Sequence, residues 1–346
     1  MTNIKSYYDF TPILSRNAVV NMVIGARGLG KTYGAKLRAI KRAIKRGEQF
    51  IYLRRYSTEL DSRHTFFADI DRHNEFPDYD FQVMGLEAQY APKETRNDKK
   101  RVWKTIGYFI ALSTAQKLKS KSYPKVTLII FDEFILERGA LHYLPNEVAA
   151  FLNLYSTVDR WEDRVRVLML ANSVSIMAPY FNAWDIQPDM NEDGSESISE
   201  WRAFGKGFGV AHFPEAAQFK AEAERTRFGR FISNTAFGEF ALQNQFSDNS
   251  SSLVSRKSKN AKYVGTIETQ NGDKFSVWKD VIGFSVQAKL PKSEVRYTLN
   301  PASMDEDTTL LNKQSPLLRV LKSSYSHGSM LFDKPYTRNA FVRAIV

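Results

Sequence analysis

The chain has 346 residues, 43% of them hydrophobic, with a net charge of +11 and no cysteine. That length holds one large or two ordinary domains, and the missing cysteines exclude disulfides, thiolate metal sites and cysteine nucleophiles. There is no run of eighteen apolar residues and no apolar leader in Met1 to Phe10, so the expectation is a protein without a membrane segment that works in the cytoplasm.

In chain order, Ala18 to Ile24 reads as a buried strand that runs into a glycine-rich turn. Lys31 to Arg46 keeps helical periodicity until Gly47 stops it, with Lys36, Arg38, Lys41, Arg42, Lys45 and Arg46 placed mostly on the solvated side. Gln49 to Arg54 is the next strand. Phe81 to Leu112 has the look of a hairpin whose two flanks meet at the polar stretch Glu94 to Arg101. Val126 to Phe131 is continuous and rich in β-formers, as a central strand should be, and Val165 to Leu170 is another. Asn191 to Ser199 reads as a loop, Ala221 to Arg230 as a charged connector, and Phe246 to Ser252 as linker. Short alternating strands follow, with a turn at Asn271 to Asp273, and then a helix from Pro316 to Tyr325. The alternation in the first two hundred residues predicts an α/β fold with a mainly parallel sheet flanked by helices, followed by a smaller α+β domain. The expected boundaries are 1–220 for the first domain, 221–250 for a linker and 251–346 for the second. From Ser251 onward there are 15 Lys and Arg against 8 Asp and Glu, a basic tail that suits contact with a polyanion or serves solubility alone.

Chemistry concentrates at two places. Gly25, Ala26, Arg27, Gly28, Leu29, Gly30, Lys31 and Thr32 complete the pattern of glycine, four residues, glycine, lysine and threonine, between a strand and a helix. Such a loop points its amide N–H groups at phosphate oxygens, and the helix adds its positive dipole end. Lys31 is placed to reach the β and γ phosphates and Thr32 to ligate magnesium, while Arg27 either contacts phosphate or faces solvent. The strand Val126 to Phe131 delivers Asp132 and Glu133 at its carboxyl end, where open α/β sheets bind ligands. Asp132 suits the metal and Glu133 suits the general base that polarises the attacking water. A glutamate directly after the strand aspartate marks the additional-strand catalytic-glutamate branch of P-loop NTPases. The guanine-reading asparagine-lysine-x-aspartate motif is absent, which points to ATP with Mg2+. Asn172 or Ser173 after the next strand is either a polar sensor or a structural cap, and Arg160, Arg164 and Arg166 lie just before that strand.

Five stretches carry a family resemblance: Val23 to Thr32, Gly47 to Tyr56, Phe131 to Ile135, Pro145 to Val148 and Thr226 to Arg230. In these the chain resembles the DNA-packaging (encapsidation) ATPases of small podophages of the phi twenty-nine type. The resemblance implies a homo-oligomeric ring, a pentamer, docked on the portal (connector) of an empty capsid in the host cell and pulling double-stranded DNA inward. It also implies a packaging RNA as scaffold and a second domain resembling a nuclease fold that has lost its active site. On that alignment Arg160 falls on the trans-acting arginine, and Lys119 on a lysine that acts between subunits or near DNA. Ser57 stands where the family has a DNA-gripping lysine, with Arg54 or Arg55 as candidates to compensate. In the tail, Asp305, Glu306 and Asp307 crowd one polar run and Asp273 sits in a turn, so no nuclease site and no DNA cleavage is expected. The alternative reading is an ATP-gated nucleic-acid clamp or helicase-like ATPase outside packaging, and a third is a small-molecule or nucleotide kinase.

Overall fold

The computed structural model describes residues 7–118, 120–136, 143–172, 178–184, 186, 189–190, 196–197, 200–214, 221, 226–232 and 257–345, the last range apart from 271, 282, 293–294, 328 and 334. The chain divides into two compact units, 1–247 and 248–346.

The first unit opens with the short helix α1 (Thr11–Leu14), then β1 (Val20–Ile24), α2 (Lys31–Arg46) and β2 (Gln49–Arg54). After the helix α3 (Ala68–Arg72) come β3 (Tyr79–Met84), β4 (Glu87–Pro92), β5 (Lys104–Ala111) and β6 (Val126–Asp132). Then follow α4 (Glu147–Asp159), β7 (Arg166–Ala171), α5 (Pro179–Ala183), the two-residue strands β8 (Asp189–Met190) and β9 (Glu196–Ser197), β10 (Trp201–Phe204) and β11 (Gly209–His212). Nine of these strands form one sheet in the order β10-β11-β1-β7-β6-β2-β5-β4-β3. From β11 to β5 all neighbours are parallel, while β10, β4 and β3 are added antiparallel at the edges. β7 therefore lies between β1 and β6, an additional strand separating the phosphate-loop strand from the acidic one.

Period-two alternation explains why the central strands are apolar throughout. On β6, Ile129 and Phe131 enter one core with Phe134, Phe151 and Tyr180, while Leu128 and Ile130 enter a second with Ile40, Phe50 and Phe109. Helix α2 ends where Gly47 takes a left-handed φ of 68° and its N–H caps the Ala43 carbonyl. Lys36 departs from the expected solvated row: it is buried, donating to the Phe66 carbonyl at 2.9 Å and facing Asp69 at 3.4 Å. The expected single hairpin is a three-strand meander. Its first turn is Gly85, at φ 59°, between Met84 and Leu86. Both neighbours are apolar yet exposed, at 61% and 55%, so no polar turn signal marks the reversal.

The second unit is a six-stranded sheet, β16-β15-β12-β13-β14-β17, with helices Pro316–Ser326 and Pro335–Ile345. Its strands are β12 (Lys262–Glu268), β13 (Lys274–Asp280), β14 (Gly283–Gln287), β15 (Arg296–Thr298), β16 (Thr308–Leu310) and β17 (Met330–Phe332). The β12–β13 pair is an antiparallel hairpin, closed near Gly272 at φ 85°. The unit has its own core, with Phe275, Val277, Val286, Leu321, Phe332 and Phe341 buried. Most of the expected linker lies outside the described residues, as do Asn271 and much of the loop from Asn191 to Ser199.

Candidate nucleotide site

Strand β1 carries the chain to the carboxyl edge of the sheet, where the Gly25 N–H donates to the Ala171 carbonyl at 3.2 Å. Gly28 and Gly30 then take positive φ, 95° and 69°, so the backbone curls without steric cost before α2 begins at Lys31. Room for a side chain at Gly30 is already taken. A Cβ there would stand 2.6 Å from the Tyr7 ring, and one at Gly34 would stand 2.9 Å from the Tyr8 carbonyl oxygen. The segment Tyr7 to Phe10 thus lies along the first turn of α2, with the Tyr8 N–H donating to the Leu29 carbonyl at 3.0 Å.

Lys31 is buried and its Nζ donates to the carbonyls of Gly25 (2.9 Å) and Ala26 (2.8 Å). Burial pushes its ammonium down to about 8, and the Asp132 carboxylate opposes that shift. Asn172 Oδ1 is 3.4 Å from the same ammonium, which ties the end of β7 to the loop. The Thr32 hydroxyl donates to both Asp132 oxygens, at 2.9 and 3.1 Å, and the Tyr52 hydroxyl donates to Asp132 Oδ2 at 2.7 Å. Hydroxyl and carboxylate therefore converge from α2 and β6 at the loop's mouth, a donor set that suits magnesium completed by phosphate and water. Among the described residues no group of three or more His, Asp or Glu could hold a metal by itself. Arg27 is exposed.

Glu133 follows Asp132 at φ 57°, an unusual conformation for a residue with a side chain, and two consecutive arginines hold it there. Arg54 Nη2 donates to Glu133 Oε2 at 2.5 Å and to Glu59 at 2.7 Å. Burial works against its charge, but Glu133, with Tyr52 and Asp132, raises its pKa beyond the usual arginine value. Arg55 holds the backbone instead, donating to the carbonyls of Glu133 (3.3 Å) and Phe134 (2.6 Å). It is fully buried in a bidentate pair with Glu147, at 2.7 and 2.9 Å, and the Tyr180 hydroxyl also donates to Glu147. Breaking such a buried pair costs roughly 3–5 kcal/mol. The expectation that Arg54 or Arg55 grips DNA is therefore corrected. Arg55 is sealed in the core, and Arg54, with its side chain 13% exposed, is spent on the carboxylates of the site.

Arg160 lies elsewhere. It caps α4 at φ 53°, in the turn that leads into the amino end of β7, so it stands at the sheet edge opposite the phosphate loop. Asp159 fixes that turn by accepting the N–H groups of Asp163, Arg164 and Val165. Arg164 and Arg166 are used internally, the first on the carbonyls of Val126 and Val158 and the second on Asp163 and Asn17. Arg160 is exposed and makes no side-chain hydrogen bond among the described residues. Lys119 and Ser173 lie outside the described residues. In the tail, Asp305 and Asp307 pair with Arg296.

Sequence reasoning missed Tyr52, which orients Asp132, and the pair His73 and Glu75, which hold the Tyr33 hydroxyl at 2.9 and 2.5 Å, one residue beyond Thr32. The only signal for Tyr52 was its place on the strand beside β6, whose register sets Leu53 opposite Phe131.

The model of the podovirus DNA encapsidation protein (Gp16) family matches residues 3–344. The chain belongs to the podoviral DNA encapsidation family. Relatives in that family include the DNA packaging protein of Bacillus phage phi29, 37% identical over 338 residues, covering 96% of this chain and 95% of the relative. That of Bacillus phage B103 is 37% identical over 331 residues, covering 94% and 96%. Among solved structures, the chain is similar to one from the bacteriophage phi29 genome packaging motor assembly, at 36% identity and a TM-score of 0.60, covering 97% of this chain and 98% of the other. It also matches the crystal structure of the N-terminal domain of the phi29 DNA packaging ATPase, at 38% identity and a TM-score of 0.52, covering 62% of this chain and 98% of that domain. This encapsidation protein is accordingly a DNA-packaging ATPase with a P-loop fold.

Proposed function

We propose that the chain hydrolyses ATP between the loop Gly25–Thr32 and the pair Asp132–Glu133 and uses the cycle to draw double-stranded DNA into an empty capsid at its portal. The observation that carries this reading is the Thr32–Asp132 contact, which brings the phosphate loop and the acidic strand end into one site. Lys31 would exchange the Gly25 and Ala26 carbonyls for β- and γ-phosphate oxygens, Thr32 and Asp132 would hold magnesium, and Asn172 would report on the γ-phosphate end. Bound magnesium would supply neutralising charge against the phosphates. Glu133 takes the proton of the attacking water, for which its carboxylate has to leave the Arg54 guanidinium.

Arg160 would act on a neighbour. β7 spans six residues, roughly 20 Å, between its turn and the loop edge, so its own nucleotide is out of reach. An arginine at one edge and a phosphate loop at the other suit head-to-tail contacts, which close into a ring. A pentamer, a packaging RNA and a portal partner follow from the family resemblance. Residues 1–220 would be the motor domain, with 221–250 as the linker and 251–346 the basic nucleic-acid- and portal-binding domain. The place of action would be the host cytoplasm and, transiently, the capsid portal vertex. Among the described residues no helix is long and apolar enough to cross a membrane.

The test is Glu133→Gln. Losing a general base should lower turnover by about 100-fold or more while the affinity for ATP stays within a few-fold of wild type. Unchanged hydrolysis would remove Glu133 as the base. Negligible hydrolysis by wild type at high protein concentration would favour a nucleotide-gated clamp.

A further inference from the structure

The β3 edge of the sheet, six strand spacings or roughly 29 Å from β1, carries a cleft of about 380 Å³ lined by no residue of the phosphate loop or the acidic pair. Its walls come from α3 and the residues after it, from β3, and from the connection 93–103 between β4 and β5. From Lys93 to Lys104 that connection holds six Lys and Arg against two acidic residues. Asp80 orders it. This carboxylate accepts Arg96 at 2.7 and 2.5 Å and Arg101 at 2.6 Å, and the Arg101 guanidinium lies 4.5 Å from the centroid of the Trp103 ring. Arg96 uses Nε and Nη2 on Asp80, whereas Arg101 donates from Nη2 to Asp80 and the Pro92 carbonyl and from Nε to the Thr95 hydroxyl, leaving each Nη1 without a hydrogen bond among the described residues.

Complementary groups line the rest of the cleft. The Asp71 carboxylate and the Lys93 ammonium sense each other's charge, yet neither makes a hydrogen bond among the described residues, and the Asn74 amide likewise has none. The cleft therefore presents cationic donors, a half-buried indole, a carboxylate and an amide able to accept and donate. One nucleotide matches that set of groups: phosphate on Lys93 and Arg96, base against Trp103, base edge on Asp71 and Asn74. In a duplex the base edge is already paired, so the nucleotide must be unpaired. A free mononucleotide would leave the exposed Lys99, Lys100 and Lys104 idle, whereas a longer strand would run its phosphates along them.

We propose that this cleft is a single-strand nucleic-acid site that seats one unpaired nucleotide of a polynucleotide, separate from the ATP site. The experiment titrates the full-length chain into labelled short single strands of RNA and of DNA with the same sequence, and into duplex DNA, reading fluorescence anisotropy. Trp103→Ala should weaken single-strand binding by about tenfold, Lys93→Gln should weaken it as well, and Trp103→Phe should restore most of it. Duplex binding should change less, and Lys31→Ala should leave single-strand binding intact. Which strand binds more tightly identifies the source, the RNA being distinguished by its 2′-hydroxyls. Single-strand affinity unchanged in both Trp103→Ala and Lys93→Gln, or an equal loss on duplex DNA, would overturn the proposal.

Discussion

Lys31 is surrounded by backbone carbonyls and largely removed from water, and burial depresses its ammonium to about 8. Phosphate oxygens beside it would favour the charged form and raise that value again. Nucleotide binding should therefore take up a proton when the pH lies above about 8, and take up almost none near pH 6.5, where the ammonium is already charged. Titration calorimetry at about pH 8.5, in buffers of different ionisation enthalpy, should show uptake of about half a proton or more. A buffer-independent enthalpy there would contradict this account of Lys31. Arg54 and Arg55 teach a different lesson. They are adjacent in sequence and alike in charge, yet one holds the Glu133 side chain and the other is sealed against Glu147. Their partners lie 79 and 92 positions away, so nothing local separates a surface cation from a buried one. The phosphate loop is legible because its chemistry is contiguous. Tyr52 is not, because its role arises only from strand pairing.

Elements with a strong period and a clear stop were readable nearly to the residue. Helix α2 runs from Lys31 to Arg46 with Gly47 as its stop, and β2 from Gln49 to Arg54. The apolar run Val126 to Phe131 became the middle strand of nine, as continuous burial on both faces requires. The meander was misread because Met84 and Leu86, flanking its first turn, are apolar residues left in solvent. Packing of the amino-terminal segment on α2 was also hidden, since Gly34 looks like a mere weak point in a helix. Its missing side chain admits the Tyr8 carbonyl and the Phe10 ring. Helix propensity alone would have a larger residue there stabilise by about 1 kcal/mol. Gly34→Leu is expected instead to destabilise by about 1–3 kcal/mol through overpacking, seen as a lower denaturant midpoint. A midpoint equal to or above wild type would show that the segment is not held against the helix.

At the scale of the whole molecule, the phosphate loop and Arg160 occupy opposite edges of one sheet. The turn that presents Arg160 is over-determined: Asp159 accepts three N–H groups while Arg160, Trp161 and Asp163 all hold positive φ. Such a rigid, exposed arginine suits a trans contact, and Arg160→Ala is expected to bind ATP normally while losing the part of hydrolysis that rises with protein concentration. A mutant rate that climbs with concentration as wild type does would remove the trans role. All of this depends on the phosphate loop driving packaging. The most direct measurement is DNA uptake into purified empty capsids, scored as nuclease-protected DNA with wild-type chain and with Lys31→Ala. Protection that requires both ATP and Lys31 is the expected result, and wild-type protection by Lys31→Ala would contradict it.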